Sequence, residues 1–218
     1  MSLALILYLL GLTFVVGLAY YLFGSFLFGA GYQPTPPEVA EAMVRAARLK
    51  PGDHLFDLGA GTGTLLFRVA RYPGVRLTGI EVDPLRFLWL RFRRWRFGET
   101  GRLRLLRRNF FDVTLTDASV VFCFLWPSTM RRLREKFLRE LPPGTRIVSY
   151  YHPIPGWTPY EEDRKLRVYA YRVPFGGDDG SFGRSGTSQG RGSTTEGAGR
   201  QTSLSRPERR QEIPQTTR

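Results

Sequence analysis

The 218-residue chain is poorest in cysteine and histidine, with one of the former and two of the latter. A lone Cys123 cannot close an internal disulfide, which excludes the small stapled folds of secreted modules. Neither Cys123 nor His54 nor His152 has a neighbour at metal-ligand spacing, so no metal is expected. Charge is absent from the whole N-terminal stretch: no Asp, Glu, Lys or Arg precedes Glu38. After Gly176 sizeable apolar residues run out, and Phe182, Leu204 and Ile213 stand alone among Gly, Ser, Thr, Arg and Gln. Composition therefore divides the chain into an anchor at 1–31, a domain at 32–175 and a tail at 176–218. The formal net charge is +13, and the tail holds seven Arg against five acids, so the balance of positive charge falls on the domain.

Residues 3–23 are apolar except for Thr13. A helix rising ~1.5 Å per residue needs about 20 such residues to cross the hydrocarbon core, and this run is long enough. A cleaved signal peptide would carry a basic n-region and a shorter apolar core. A buried core helix of this length would show a polar face. A single transmembrane helix is expected, with Tyr20, Tyr21 and Tyr32 near one interface. All basic residues follow it, from Arg45 onward, which puts the domain on the cytoplasmic side. The tail cannot bury enough apolar surface to offset the entropy of ordering and is expected to be disordered.

Between them strand and helix patterns alternate. Val39, Ala42, Met43, Ala46 and Leu49 recur at helical spacing over 38–49, with Thr35 as a candidate N-cap. Strands are expected at 54–59, 75–83, 102–111, 119–125, 145–151 and 165–173, and further helices at 62–72, 84–97 and 128–141. Such alternation predicts an α/β Rossmann-like fold, a mostly parallel sheet with helices on both faces. Ligands in these folds sit beyond the carboxyl ends of the strands, at the switch point.

The run Asp57-Leu58-Gly59-Ala60-Gly61-Thr62-Gly63 follows the first strand and opens a helix. Glycines there admit positive φ and close approach of a ligand to backbone. A dinucleotide loop would place a glycine where Thr64 stands, so the pyrophosphate fingerprint fails. Glu81 ends the second strand, where a carboxylate can accept from ribose hydroxyls. A nucleoside without a pyrophosphate is implied; a tight turn beside a surface Glu is the structural alternative.

On these residues the chain resembles the class I S-adenosylmethionine-dependent methyltransferases. The resemblance implies that Gly59, Ala60, Gly61 and Gly63 line the methionine and ribose portion and that Asp57 orients the methionine amino group. It also implies that Glu81 holds the ribose, that Asn109 meets the adenine amine, and that Phe110 covers the adenine ring. A closer resemblance covers about 31–160: YQPTP at 32–36, NFFD at 109–112, FLWPS at 124–128 and ELPPGTRIVSYYHPIPGWTP at 140–159. These look like the small archaeal protein-lysine methyltransferases and their membrane-anchored mitochondrial relatives in animals. That likeness adds Tyr32 and Thr35 to the cofactor-binding set. It implies S-adenosylmethionine as cofactor and, as partner, a membrane or membrane-proximal protein with an accessible lysine, such as the ATP synthase c subunit.

A lysine acceptor must lose its proton, which a dry aromatic mouth favours. Trp126, Tyr150, Tyr151 and Trp157 are candidates to line that mouth, with ordinary core packing as the alternative for each. His152 could be called a base, but a lone His near a Pro is more often structural. No Asn/Asp-Pro-Pro-Tyr/Phe signature follows the fourth strand, where Leu125-Trp126-Pro127-Ser128 stands, which disfavours amide and base-amine acceptors. The helix at 84–97 carries five Arg between large apolar residues. Leu85, Leu88, Phe92 and Trp95 are expected against the sheet, with Phe87, Leu90 and Phe97 outward among the arginines. An outward face of that kind suits the bilayer; nucleic acid and a plain solvated face are the competing partners. The expectation is a membrane-tethered methyltransferase acting on protein lysine. A phospholipid N-methyltransferase and a non-catalytic cofactor-binding module are its rivals.

Overall fold

The computed structural model describes residues 2–27, 33–98 and 101–175. Tyr32 and the expected tail lie outside these. Among the described residues five α-helices, α1 (Leu3–Leu27), α2 (Pro37–Ala47), α3 (Thr64–Val69), α4 (Pro84–Phe97) and α5 (Pro127–Glu140), accompany seven strands. The strands are β1 (His54–Leu58), β2 (Arg76–Ile80), β3 (Leu103–Leu106), β4 (Val120–Cys123), β5 (Arg146–Tyr150), β6 (Glu161–Asp163) and β7 (Val168–Arg172).

One sheet runs in the order β3-β2-β1-β4-β5-β7-β6. The pairs from β3 to β5 are parallel, and β7 joins antiparallel to both β5 and β6. The expected α/β fold and its parallel core are present, closed at one side by an antiparallel hairpin. The chain steps outward through β2 and β3 and then returns beside β1 as β4. The switch point is therefore the gap between the carboxyl ends of β1 and β4.

Two apolar clusters cover the two faces of the sheet. One joins α2, α3 and Leu90 of α4 to the strands; the other joins Met130, Leu133 and Phe137 of α5 to Phe56, Val121, Ile147 and Tyr171. Below the sheet, the buried Arg146 side chain binds Asp53 and the carbonyls of Ala47 and Arg48, so the end of α2 is fastened to β1 and β5. Burial alone would raise the Asp53 pKa. Arg146, the Lys50 N–H and the Ser119 hydroxyl outweigh it and hold the carboxyl below its ordinary value.

Several expectations need correction. β3 ends at Leu106 and a 3-10 turn occupies Phe110–Asp112, because Asn109 caps that turn by accepting from Phe111 N–H (3.0 Å). β6 carries two glutamates and an aspartate, which hid it from any apolar count. Thr35 does not cap α2; the helix opens at Pro37 after Pro36, whose geometry needs no side-chain cap. The largest correction is α4. Leu90 faces the core at 0% exposure, Phe87 is half-buried, and Leu85, Leu88, Phe92 and Trp95 point outward with Trp89.

The α1 helix is apolar on all sides, and its 18-residue window Leu3–Tyr20 is long and apolar enough to cross a membrane, with none of it buried inside the protein.

Candidate active site

The carboxyl ends of β1, β2 and β4 form the site floor. After Leu58 the backbone takes positive φ at Gly59 (80°) and Gly61 (55°), a conformation that L side chains adopt with strain. Gly59 and Ala60 both donate N–H to the Ile80 carbonyl at 2.9 Å, which pins the loop to the end of β2. Glu81 then reaches back: its Oε2 accepts from Gly61 N–H (2.7 Å) and its Oε1 from Asp83 N–H (2.9 Å). One carboxylate thus fixes both the glycine loop and the entry to α4, whose N-cap is Asp83. Burial raises the Glu81 pKa against the lowering effect of those N–H groups.

Asp57, the last polar residue of β1, is buried, and among the described residues its carboxylate forms no hydrogen bond. Burial first, and the Glu81 charge second, push its pKa up to about 7. A carboxyl left this way has no internal partner for its charge, and a ligand cation is the complement that is missing.

Both carboxylates open on one cleft lined by Thr35, Asp57, Gly59, Ala60, Gly61, Glu81, Phe110 and Phe124. About 820 Å³ of empty space, continuous with open solvent, lies within it. Gln33, Val82, Arg86 and Leu125 also line it. Two expected residues are elsewhere. Gly63 lies behind the wall, where a Cβ would come within 2.6 Å of Leu90 Cδ2 and Phe67 Cε2; its lack of a side chain serves helix packing. Asn109 is not among the residues lining the cleft and spends its Oδ1 on the Phe111 cap.

Phe124 extends the cleft toward an aromatic row. Its ring centroid is 4.3 Å from Tyr150 and 6.4 Å from Tyr151, and Tyr151 meets His152 at 4.8 Å. Tyr151 holds φ 70°, a strained value for a residue with a side chain, and carries the Arg167 guanidinium at 4.4 Å from its ring. Burial first, then Arg167, lower the His152 pKa, keeping it neutral near pH 7. Of the other two candidates, Trp126 opens α5 half-exposed, and Trp157 packs its ring on Tyr171 at 6.2 Å, in the second core cluster. Phe124 itself escaped the sequence argument; its place in the FLWPS run, directly after β4, was the available signal.

Comparison with known proteins fits this geometry to a family. The family model described as the ANTKMT methyltransferase domain matches residues 57–161, from the first carboxylate to the start of β6. A curated protein-lysine N-methyltransferase of Saccharolobus islandicus is 35% identical over 149 residues, covering 65% of this chain and 92% of that protein. This chain belongs to that family. The adenine nucleotide translocase lysine N-methyltransferase of mouse is 32% identical over 171 residues, covering 72% of this chain and 74% of that one. A solved structure described as an RNA methyltransferase from Salinibacter ruber, in complex with S-adenosyl-L-homocysteine, is 31% identical. It superposes with a TM-score of 0.64 over 67% of this chain and 97% of its own. The protein is a class I S-adenosylmethionine-dependent methyltransferase of the ANTKMT methyltransferase domain family. Within an ANTKMT-type domain the match starts at Asp57, so the YQPTP segment and α2 stand outside it although Thr35 lines the cleft.

Proposed function

We propose that this protein transfers the methyl group of S-adenosylmethionine to lysine side chains of a membrane or membrane-proximal protein, from a domain tethered by α1. The observation that carries the proposal is the unpaired, buried Asp57 beside the Glu81-clamped glycine loop, with Phe124 leading from that cleft to the tyrosines. Two relatives named as lysine N-methyltransferases support the acceptor.

The pocket fits the cofactor. Asp57 accepts from the methionine ammonium, which supplies the positive charge its surroundings lack. Each Glu81 oxygen uses one lone pair on backbone and keeps another for a ribose hydroxyl. Gly59, Ala60 and Gly61 let the ligand lie on bare backbone, Thr35 closes the near wall, and Phe110 offers its ring face to the adenine. Asn109 keeps a second lone pair on Oδ1 for the adenine amine. The bound cofactor supplies a sulfonium methyl that an uncharged amine can attack.

The chain's own task is then alignment and proton removal. Phe124, Tyr150 and Tyr151 hold the lysine stem and disfavour its ammonium form by excluding water, so the neutral amine is the species presented. Trp126, half-exposed at the start of α5, is the further candidate for that mouth. Orientation of two bound partners can by itself supply much of the rate. No metal enters this scheme.

The tether rests on α1. Its Leu3, Leu7 and Phe14 side chains are exposed in the protein alone, which a hydrocarbon surround would cover. All basic residues follow it, which supports the cytoplasmic side for residues 32–175.

The test is to incubate the purified full-length protein with radiolabelled methyl donor and membranes, then fractionate the label. Label in protein, recovered as methyl-lysine after hydrolysis, is expected. Label confined to lipid would instead identify a phospholipid N-methyltransferase, and label confined to RNA would transfer the Salinibacter description to this chain. Absence of label with retained cofactor binding would leave a non-catalytic module.

A further inference from the structure

The outward face of α4 has no partner among the described residues that would account for it. Leu85, Leu88, Trp89, Phe92 and Trp95 fall within an arc of about 120° at 100° per residue, and all five are about half exposed or more. Soluble surfaces rarely gather large apolar side chains so densely. The helix contains five arginines and no acid, and Arg91 and Arg96 are exposed around that arc. The face is also placed by its neighbour: the Tyr20 side chain, at the end of the apolar window of α1, lies beside Asp83, Leu85 and Arg86 where α4 begins.

We infer that α4 is an in-plane membrane helix, seating its Leu/Trp/Phe arc in the headgroup boundary of an anionic bilayer with Arg91 and Arg96 on lipid phosphates. This rests on the anchoring by α1 proposed above. A helix of this composition lies at the interface with its apolar side buried ~5–10 Å deep. An α1 crossing that ends near Tyr20 brings the first turn of α4 to the same level. A second copy of the chain would also bury the apolar arc, but it would set an acid-free, arginine-rich helix against an equally basic one. The docked helix fixes the azimuth of the domain above the bilayer and so determines how close the cleft stands to acceptors in the membrane.

The experiment uses the full chain in vesicles with Leu88→Cys labelled by an environment-sensitive fluorophore, and Glu135→Cys on α5 as the reference site. Cys123 is buried and does not compete for label. In vesicles holding anionic lipid, the label at 88 shifts to the blue and is quenched by doxyl-lipid, while the label at 135 remains water-like. Arg91→Gln with Arg96→Gln lowers the docked-to-undocked ratio about 25-fold, at roughly fivefold per Arg near anionic lipid. Equal quenching in neutral vesicles, or a water-like label at 88 in anionic ones, overturns the inference. A dehydrated label that doxyl-lipid does not quench and that follows protein density assigns the face to a second copy and overturns it too. Alkaline carbonate extraction distinguishes the levels: a released protein defeats the anchor itself, and a retained protein with a water-like label defeats only the docking.

Discussion

Asp57→Asn should separate the binding role of this residue from its effect on folding. In the unfolded chain Asp57 titrates near its ordinary value of 3.8, and in the folded protein near 7. The folded state therefore holds the proton more tightly between those values, and stability falls as pH rises through that window and levels off above it. The full difference corresponds to about 4 kcal/mol at 1.36 kcal/mol per unit, of which about 3 lies between pH 5 and 8. The amide removes this loss but is itself buried without a partner, at a cost of about 1–3 kcal/mol. The cofactor-free variant should thus match or exceed the wild type at pH 8, and this difference should move by about 3 kcal/mol in favour of the wild type by pH 5. Denaturant titrations at both pH values, in the detergent that holds α1, measure this directly. Glu81 is shifted the same way, so the variant keeps a shallower slope of the same sign. Calorimetry with S-adenosylhomocysteine should show the variant binding about 10- to 100-fold more weakly, the worth of a charged hydrogen bond. Wild-type binding should weaken below pH 7 as the carboxylate protonates. Parallel stability profiles for the two proteins, or unchanged affinity, would refute the argument.

Glu81→Gln should weaken cofactor binding and also lower stability by about 1–3 kcal/mol, since its carboxylate holds Gly61 and Asp83 as well; melting with and without ligand reads both. Gly63→Ala should destabilise by more than ~1 kcal/mol through positive φ and the 2.6 Å approach to Leu90 and Phe67, with the ligand affinity of the folded fraction little changed. Arg146→Met should cost about 3–5 kcal/mol at pH 7 by stranding Asp53. In the wild type the stability from Asp53 is present above its unfolded value and lost as pH falls through its lower folded value, so the two proteins should converge in acid. Tyr150→Ala should lower kcat/KM for the lysine acceptor about 2- to 10-fold while leaving cofactor Kd unchanged; a matching change in Kd would move Tyr150 from the mouth to the pocket.

What could be read from the residues alone was the part fixed by local chemistry. DLGAGTG declared itself because a strand, a set of positive-φ turns and a helix start must follow one another within seven residues. Glu81 was found because the acid ends the next strand, where register alone brings it to the loop. Asn109 and Gly63 do not line the cleft, for a shared reason. Each sits within a recognisable motif, but its side chain, or lack of one, answers to a nonlocal neighbour: the Phe111 cap in one case, Leu90 and Phe67 in the other. Phe124 was missed because it is as apolar as the core residues of β4 just before it, and only its place after the strand end, in FLWPS, sets it apart.

The reversed face of α4 follows from the same limit. Its sequence offers two apolar stripes, Leu85-Leu88-Phe92-Trp95 and Phe87-Leu90-Phe97, so periodicity cannot choose between them. The choice is made by α3. Gly63 leaves a hollow that Leu90 fills; Phe67 meets the Phe97 ring at 5.5 Å; and Arg93 donates to the Thr62 carbonyl at 2.6 Å with its guanidinium over Phe67 at 4.5 Å. The stripe centred on Leu90 fits that hollow, and the bulkier one ending in Trp95 does not. The glycine loop that opens the cofactor cleft therefore also decides which side of α4 is turned outward, through Gly63. Filling that hollow with Gly63→Ala should lift α4 and dim the lipid quenching of a label at position 88 as stability falls. If quenching persists undiminished in the folded fraction, the seating of Leu90 on Gly63 is not what orients the helix.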